Sequence, residues 1–222
     1  MEALYSGKGN PATLTPERLY SILFLSAEAA HFIKGGDMPT QKPQHLRDET
    51  IFPGEWGKGM IKRVFLDPRK GREEEYFLFH SEKVASIVLV LTKNKEVVAI
   101  RIFCQAANDF ILQVPGGVPK AGESFEDTAR REVLEETGYQ VGGLIALGKG
   151  WFEPFNTTTH FNAFLALECE KVGEPRTDGT EYLEVEIYPF HEWWNMCLNG
   201  IIEDAKSVLL TMRAQGYMTG WA

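Results

Sequence analysis

Cysteine is scarce in this chain: Cys104, Cys169 and Cys197 are the only three in 222 residues, they stand far apart, and no two form a C-x-x-C pair. An odd, scattered set argues against a disulfide framework or a structural zinc site, so the three read as reduced thiols. Positive charge is also short. Lys and Arg number 23 against 31 Asp and Glu, a net charge of -8. That balance argues against nucleic acid or an anionic membrane surface as the principal partner, and it leaves room for a small phosphorylated substrate if a metal supplies positive charge locally. No apolar run approaches the roughly eighteen residues a membrane span needs. The start, MEALYSGKGNP, has no basic region followed by an apolar stretch, so neither a signal peptide nor a membrane anchor is expected, and a cytoplasmic enzyme fits. Internal repeats and low-complexity tracts are absent too. With 44% hydrophobic and 12% aromatic residues, the chain has enough apolar material for one sizeable core plus a smaller appendage.

What the chain does have is a dense acidic segment, GGVPKAGESFEDTARREVLEETGY, at 116–139. Ser124 followed three residues later by Asp127 is an N-cap signature, and Gly138 stands where a helix takes a left-handed C-cap, which predicts a helix over 125–137. On that helix Glu132, Glu135 and Glu136 share one side, while Phe125, Ala129 and Val133 line another. Three carboxylates this close repel one another, and near the C-terminal end they also oppose the helix dipole. Hard divalent cations bound through oxygen, Mg2+ or Mn2+, are the natural compensation.

Taken in order, the chain opens with about a dozen polar and small residues. Thr15 and Pro16 then start a helix that ends at Gly35-Gly36, and 37–58 reads as an irregular connector rich in Pro, Gly and polar residues. Trp56 within it suits stacking on a base or anchoring the connector in a core. Strands are expected at 60–66 and 74–79, forming a hairpin around the turn 67–72, and at 84–92, 97–103, 110–114, 144–147, 161–167 and 182–188. The run at 84–92 is continuously apolar, as in a strand buried on both faces. Short helices are expected at 192–198 and 204–215. Strands interleaved with a few helices predict an α/β chain with a mixed sheet sandwiched between helices.

Counted from Gly117, five residues lead to Glu123 and seven more to Arg131, followed by Arg-Glu-Val-Leu-Glu-Glu-Thr-Gly-Tyr. This resembles the Nudix box, with Tyr139 where an aliphatic residue is usual. Beyond the box, over roughly 56–215, the hairpin turn, the apolar strands, Arg101 and NGIIEDAKSVLL look most like the ADP-ribose pyrophosphatase branch. The resemblance implies a Nudix fold at 83–222 preceded by an N-terminal extension at 1–82 made of helix, connector and β-hairpin. It implies Mg2+-dependent hydrolysis of a nucleoside diphosphate linked to a group X, with Mn2+ as a possible substitute. It also implies Glu132 and Glu136 as direct metal ligands, Glu135 binding or orienting the metals, and the carbonyl of Gly116 completing the shell. Arg131 would pair with Glu123 or Glu135 and hold the loop on the helix. Glu181 would be the general base, with Glu135 or another box acid as the alternative. Arg101 and Trp56 would meet the substrate, and the chain would form a homodimer through 60–79 and the helix at 16–33. The substrate stays open, because Arg101-Ile102-Phe103-Cys104 and Pro115-Gly116-Gly117 stand where that branch has R-Q-aromatic-R and P-A-G, and 153–159 lacks S-P-G. ADP-ribose, a dinucleotide and a nucleotide sugar all remain candidates. A second class of reading is a Nudix-fold sensor or regulator that binds a nucleotide derivative without cleaving it. His160, His191, Asn156 and Thr157 to Thr159 are weaker candidates, for which structural roles are favoured.

Overall fold

The computed structural model describes residues 42–54, 58–176 and 182–218. The helix expected at 16–33, Trp56 and Glu181 lie outside them. The chain divides into two compact units. In the smaller, the described residues are 42–44 and the hairpin tip 66–72, where the carbonyl of Asp67 accepts from the amides of Lys70 and Gly71 at 3.2 and 2.8 Å. Gly71, at φ +64°, takes the left-handed position that closes this turn.

The larger unit, 45–65 with 73–222, is built on a mixed eight-stranded sheet. Its strands are β4 (Ala85–Thr92), β5 (Glu96–Cys104), β6 (Asp109–Gln113), β7 (Gly116–Gly117), β8 (Tyr139–Gln140), β9 (Gly143–Trp151), β10 (His160–Lys171) and β11 (Leu183–Pro189). The path runs β11-β5-β4-β10-β8, with β6 on β5, β7 on β4 and β9 on β10. β4 and β10 are parallel, Phe161 opposite Ala85 and Leu165 opposite Leu89. β5 runs antiparallel to both β4 and β11.

The apolar run of β4 is buried on both faces, and each face meets a different helix layer. Ile87, Leu89 and Leu91, with Val97, Ala99, Phe161 and Leu165, form one core cluster with Trp193 and Cys197 of α2 (Phe190–Leu198) and Leu210 and Ala214 of α3 (Ala205–Ala214). The alternate residues Val88, Val90, Val98, Phe164 and Ala166 pack against Ala129 and Val133 of α1 (Phe125–Thr137). Α period of two on the strand therefore places one helix layer on each side, the α/β/α arrangement. Each fully buried Val, Leu, Ile or Phe among them contributes about 1.5–3 kcal/mol through burial.

The connector expected at 37–58 needs correction over its described part. A strand, β1 (Gln44–Pro53), forms there and joins β2 (Lys58–Asp67) and β3 (Arg72–Ser81) in a separate three-stranded sheet, order β1-β2-β3. All but one residue of β1 is exposed, so it lacks the apolar alternation by which a strand is read. Cross-strand ion pairs accompany the ladder instead: Asp48 with Arg63 at 2.7 Å, Lys62 with Glu49 at 2.8 Å and with Glu75 at 3.1 Å, and Arg47 with Glu73 at 3.1 Å. Two strands of the large sheet also run beyond their expected spans of 144–147 and 161–167, because pairing along β9 and β10 continues from Leu167 opposite Gly143 to His160 opposite Trp151.

Candidate active site

α1 forms as its caps predict. The Ser124 hydroxyl accepts from the Asp127 amide at 3.0 Å, and Gly138, at φ +74°, donates its amide to the Leu134 carbonyl at 3.0 Å. Just before the helix, β7 lays the glycine turn along β4, Gly116 opposite Ile87 and Gly117 opposite Ser86. Only glycine fits here. Α Cβ on Gly116 would lie 2.4 Å from the Ser86 carbonyl oxygen, and one on Gly117 would lie 2.1 Å from Oε1 of Glu132. The missing side chain of Gly116 lets the turn lie against β4, and that of Gly117 leaves room for the Glu132 carboxylate. Glu132 packs over Gly117, and Glu136, only 7% exposed, accepts from the Gly116 amide at 2.9 Å.

Arg131 ties the remaining acids together. Its Nε and Nη2 donate to the two carboxylate oxygens of Glu123 at 2.8 and 3.0 Å, and Nη1 lies 2.7 Å from Glu135 and 2.8 Å from Glu132. Nη2 also donates to the Val118 carbonyl at 3.1 Å, which fastens the loop after the glycine turn. The resemblance implied Glu123 or Glu135 as its partner; the guanidinium pairs with both, and with Glu132 as well. Lys120 Nζ takes the other oxygen of Glu135 at 3.0 Å. The Arg131 hydrogen bonds hold the Glu123 carboxyl down to about 2. Burial pushes Glu135 upward, but Arg131 and Lys120 outweigh it and leave the carboxyl below its ordinary value.

The donor set on this helix suits a hard cation: three carboxylates beside a turn whose carbonyls add neutral oxygen. Among the described residues, no three His, Cys, Asp or Glu side chains stand together as an assembled metal site. Arg131 and Lys120 occupy carboxylate oxygens of Glu132 and Glu135, and Gly116 occupies one of Glu136.

Arg101 stands elsewhere. Its Nε is ion-paired with Glu186, which also accepts from the hydroxyl of Tyr188, and Tyr188 packs on the core cluster beneath α2 and α3. It therefore lies on the face of the sheet opposite α1. The loop between β9 and β10 satisfies its own polar groups. Asn156 donates to the Glu153 carboxylate at 2.8 and 2.9 Å, and the Thr157 hydroxyl bonds that of Thr159. The ring of His160 rests on Trp151, centroids 5.3 Å apart.

A feature that strand and helix patterns do not reveal is a cavity of about 660 Å³. The aromatic rings of Phe52, Phe79 and Phe152 and the cationic Lys58 and Lys83 line it, and Val118, the residue Arg131 holds, reaches it from the box loop. The Phe79 amide donates to the Asn156 carbonyl at 2.8 Å, the Thr158 amide to the Phe79 carbonyl at 3.0 Å, and His80 Nδ1 meets the Thr158 hydroxyl at 2.8 Å. β3 and the β9–β10 loop are thereby clasped along one wall. No local motif marks these residues; they are scattered from 52 to 159 and converge only in three dimensions.

Comparison with known proteins agrees with this geometry. The ADP-ribose pyrophosphatase of Bacillus subtilis (strain 168) is 27% identical over 171 residues, covering 77% of this chain and 91% of that protein. The GDP-mannose pyrophosphatase of Escherichia coli (strain K12) is 31% identical over 134 residues, covering 57% of this chain and 70% of that protein. Among solved structures, one described as an ADP compounds hydrolase matches with a TM-score of 0.67 at 19% identity, over 83% of this chain and 98% of its own, a likeness of fold. The NUDIX domain model matches residues 81–209; with the glycine turn, the capped helix and its acids in place, the chain belongs to the NUDIX family.

Proposed function

We propose that this chain is a divalent-metal-dependent pyrophosphohydrolase that cleaves the diphosphate bond of a nucleoside diphosphate linked to a sugar or another group X. The observation that carries this reading is the seating of Glu132 over Gly117 and of Glu136 on the Gly116 amide, which brings two carboxylates of α1 onto the glycine turn. Two relatives named for different substrates, ADP-ribose and GDP-mannose, support a purine nucleoside diphosphate sugar as the substrate class.

Glu132, Glu135, Glu136 and the Gly116 carbonyl would hold the metal. When bound, Mg2+ neutralises diphosphate oxygens and acidifies a coordinated water. The Gly116 amide orients Glu136, and Arg131 keeps Glu123, Glu132 and Glu135 gathered despite their mutual repulsion. The aromatic walls and two lysines of the neighbouring cavity suit a base and a phosphate. Trp56 is a further substrate contact in this reading, whereas Arg101 is engaged by Glu186 on the sheet face opposite α1. Glu181 serves as the general base. The domain boundary near residue 82, a cytoplasmic location and a homodimer complete the reading. Exposed Tyr76, Phe77 and Phe79 on β3 are apolar surface that a second copy would cover.

The test is phosphate release, with a coupled phosphatase, from ADP-ribose, GDP-mannose, dinucleotides and nucleoside triphosphates in Mg2+, Mn2+ or EDTA. Turnover of a nucleotide sugar that EDTA abolishes is expected; undiminished turnover in EDTA, or none on any member of the panel, sinks the reading. Glu136→Gln keeps an acceptor for the Gly116 amide and is expected to fold while losing about a hundredfold or more in kcat. Glu181→Gln is expected to lose two to four orders of magnitude, the usual contribution of a general base; a loss under about threefold moves that role to a box acid. Sedimentation at the mass of a single chain at micromolar concentration would contradict the dimer.

A further inference from the structure

The ladder between β5 and β6 ends at Gln113, opposite Ile100, and the chain next pairs with β4 through Gly116, opposite Ile87. Val114, 2% exposed, lies in this changeover between partner strands. Its amide donates to the hydroxyl of Ser207 at 2.9 Å, a residue 93 positions away and fully buried on α3. That hydroxyl in turn donates to Asp204 Oδ2 at 2.6 Å, and the same oxygen caps α3 by accepting the Ser207 amide at 2.9 Å. Asp204 is itself 9% exposed and is paired with Lys206, whose Nζ also reaches Gln113 at 3.5 Å. The cap of α3 is thus fastened to Gln113 and Val114, the two residues before Pro115 and the glycine turn. Two residues beyond Val114, Gly116 presents its amide to Glu136.

We infer that Asp204 and Ser207 are positioning residues for the reaction, acting through Val114 to aim the Gly116 backbone at Glu136 from the far side of the sheet. An N-cap alone needs the Asp204 carboxylate and the Ser207 amide; it does not need the Ser207 hydroxyl to hold a strand amide. The hydroxyl holds the stretch where the chain leaves one ladder for another, and the Pro115 carbonyl there also accepts from the Val88 amide at 3.0 Å, so α3 and β4 together set the direction of the next amides. Misaiming Gly116 shifts Glu136, so the effect belongs to metal affinity and kcat rather than to substrate binding. This role presupposes that the glycine turn belongs to the catalytic site.

The test compares Ser207→Ala with Thr211→Val. Thr211 lies one turn along the same helix, fully buried, donating to the Ser207 carbonyl at 2.7 Å and accepting from Trp193 Nε1 at 2.8 Å. Its loss therefore weakens the same helix without touching Val114. Hydrogen exchange at the Gly116 amide is read first, with neither metal nor substrate present: about tenfold or more faster exchange is expected in Ser207→Ala and an unchanged rate in Thr211→Val. Mn2+ affinity by titration, and kcat, are expected to fall about tenfold in Ser207→Ala with KM within about twofold, and to stay near wild type in Thr211→Val. Should Ser207→Ala not fold, Asp204→Ala releases the same hydroxyl and is expected to give the same pattern at smaller size. Matching behaviour of the positioning variants and Thr211→Val overturns the inference. Because exchange is measured on the protein alone, a wild type without turnover would refute the hydrolase reading and leave this result standing.

Discussion

In β4, every residue from Ile87 to Leu91 is 5% exposed or less, and its neighbours on both faces are apolar. In β1, all but one residue faces water, and its cross-strand partners are charged. Both are strands, but different forces hold them. Around β4, burial dominates and a change of one methylene is felt; around β1, backbone pairing and solvated ion pairs share the work, and no single pair contributes much. The box lies at the junction of the two regimes. α1 is anchored by Ala129 and Val133 in the core, while its outer side carries an ion network centred on Arg131.

The largest effect should come from the apolar region. Trp193, fully buried with its indole bonded to Thr211 at 2.8 Å, fills the space between α2, α3 and the sheet. Trp193→Ala is expected to cost about 3–5 kcal/mol in urea unfolding; a loss under about 1 kcal/mol would mean that this core is loosely packed. An intermediate effect is expected at the network. Glu123 titrates at about 2 in the folded protein against an ordinary 4.5, because Arg131 favours its charged form. Its contribution to stability is therefore complete above about pH 4.5 and is lost as the pH falls towards 2. Arg131→Met should remove that part of the acid dependence, seen as a flatter thermal midpoint across this window, and should also weaken metal binding by releasing Glu132 and Glu135. An unchanged acid profile would show that other groups carry it. The smallest effect is expected in the outer sheet. Arg63, by hydrogen bonding, holds the Asp48 carboxyl below its ordinary range, yet both side chains keep about a third of their surface in water, 33% and 28%. Asp48→Asn should cost under about 1 kcal/mol, and the difference from wild type should shrink further in 1 M salt. Α cost near that of Trp193→Ala would erase the contrast between the sheets.

Much of the large sheet and nearly all of the box were legible before any coordinates. Continuous apolar runs such as 85–92 and the Ser124 and Gly138 caps are local signals, each set by a few neighbouring residues. Of the three-stranded sheet the sequence shows only the hairpin, because β1 has the composition of a surface loop. Asp204 and Ser207 fall in the helix expected at 204–215, but nothing local to them points to Val114, and no local signal marks the cavity residues.

By itself the amino-acid sequence determined where α1 starts and stops, that β4 is buried on both faces, and which acids share a side of α1. These follow from backbone sterics, capping and periodicity, which act over a few residues. Only the tertiary structure decided that Arg131 binds Glu123, Glu132 and Glu135 together, that Arg101 pairs with Glu186 on the sheet face opposite α1, and that Ser207 reaches the strand before the glycine turn. Such contacts join residues up to 93 positions apart, and their partners are chosen by how the layers pack rather than by any neighbour along the chain.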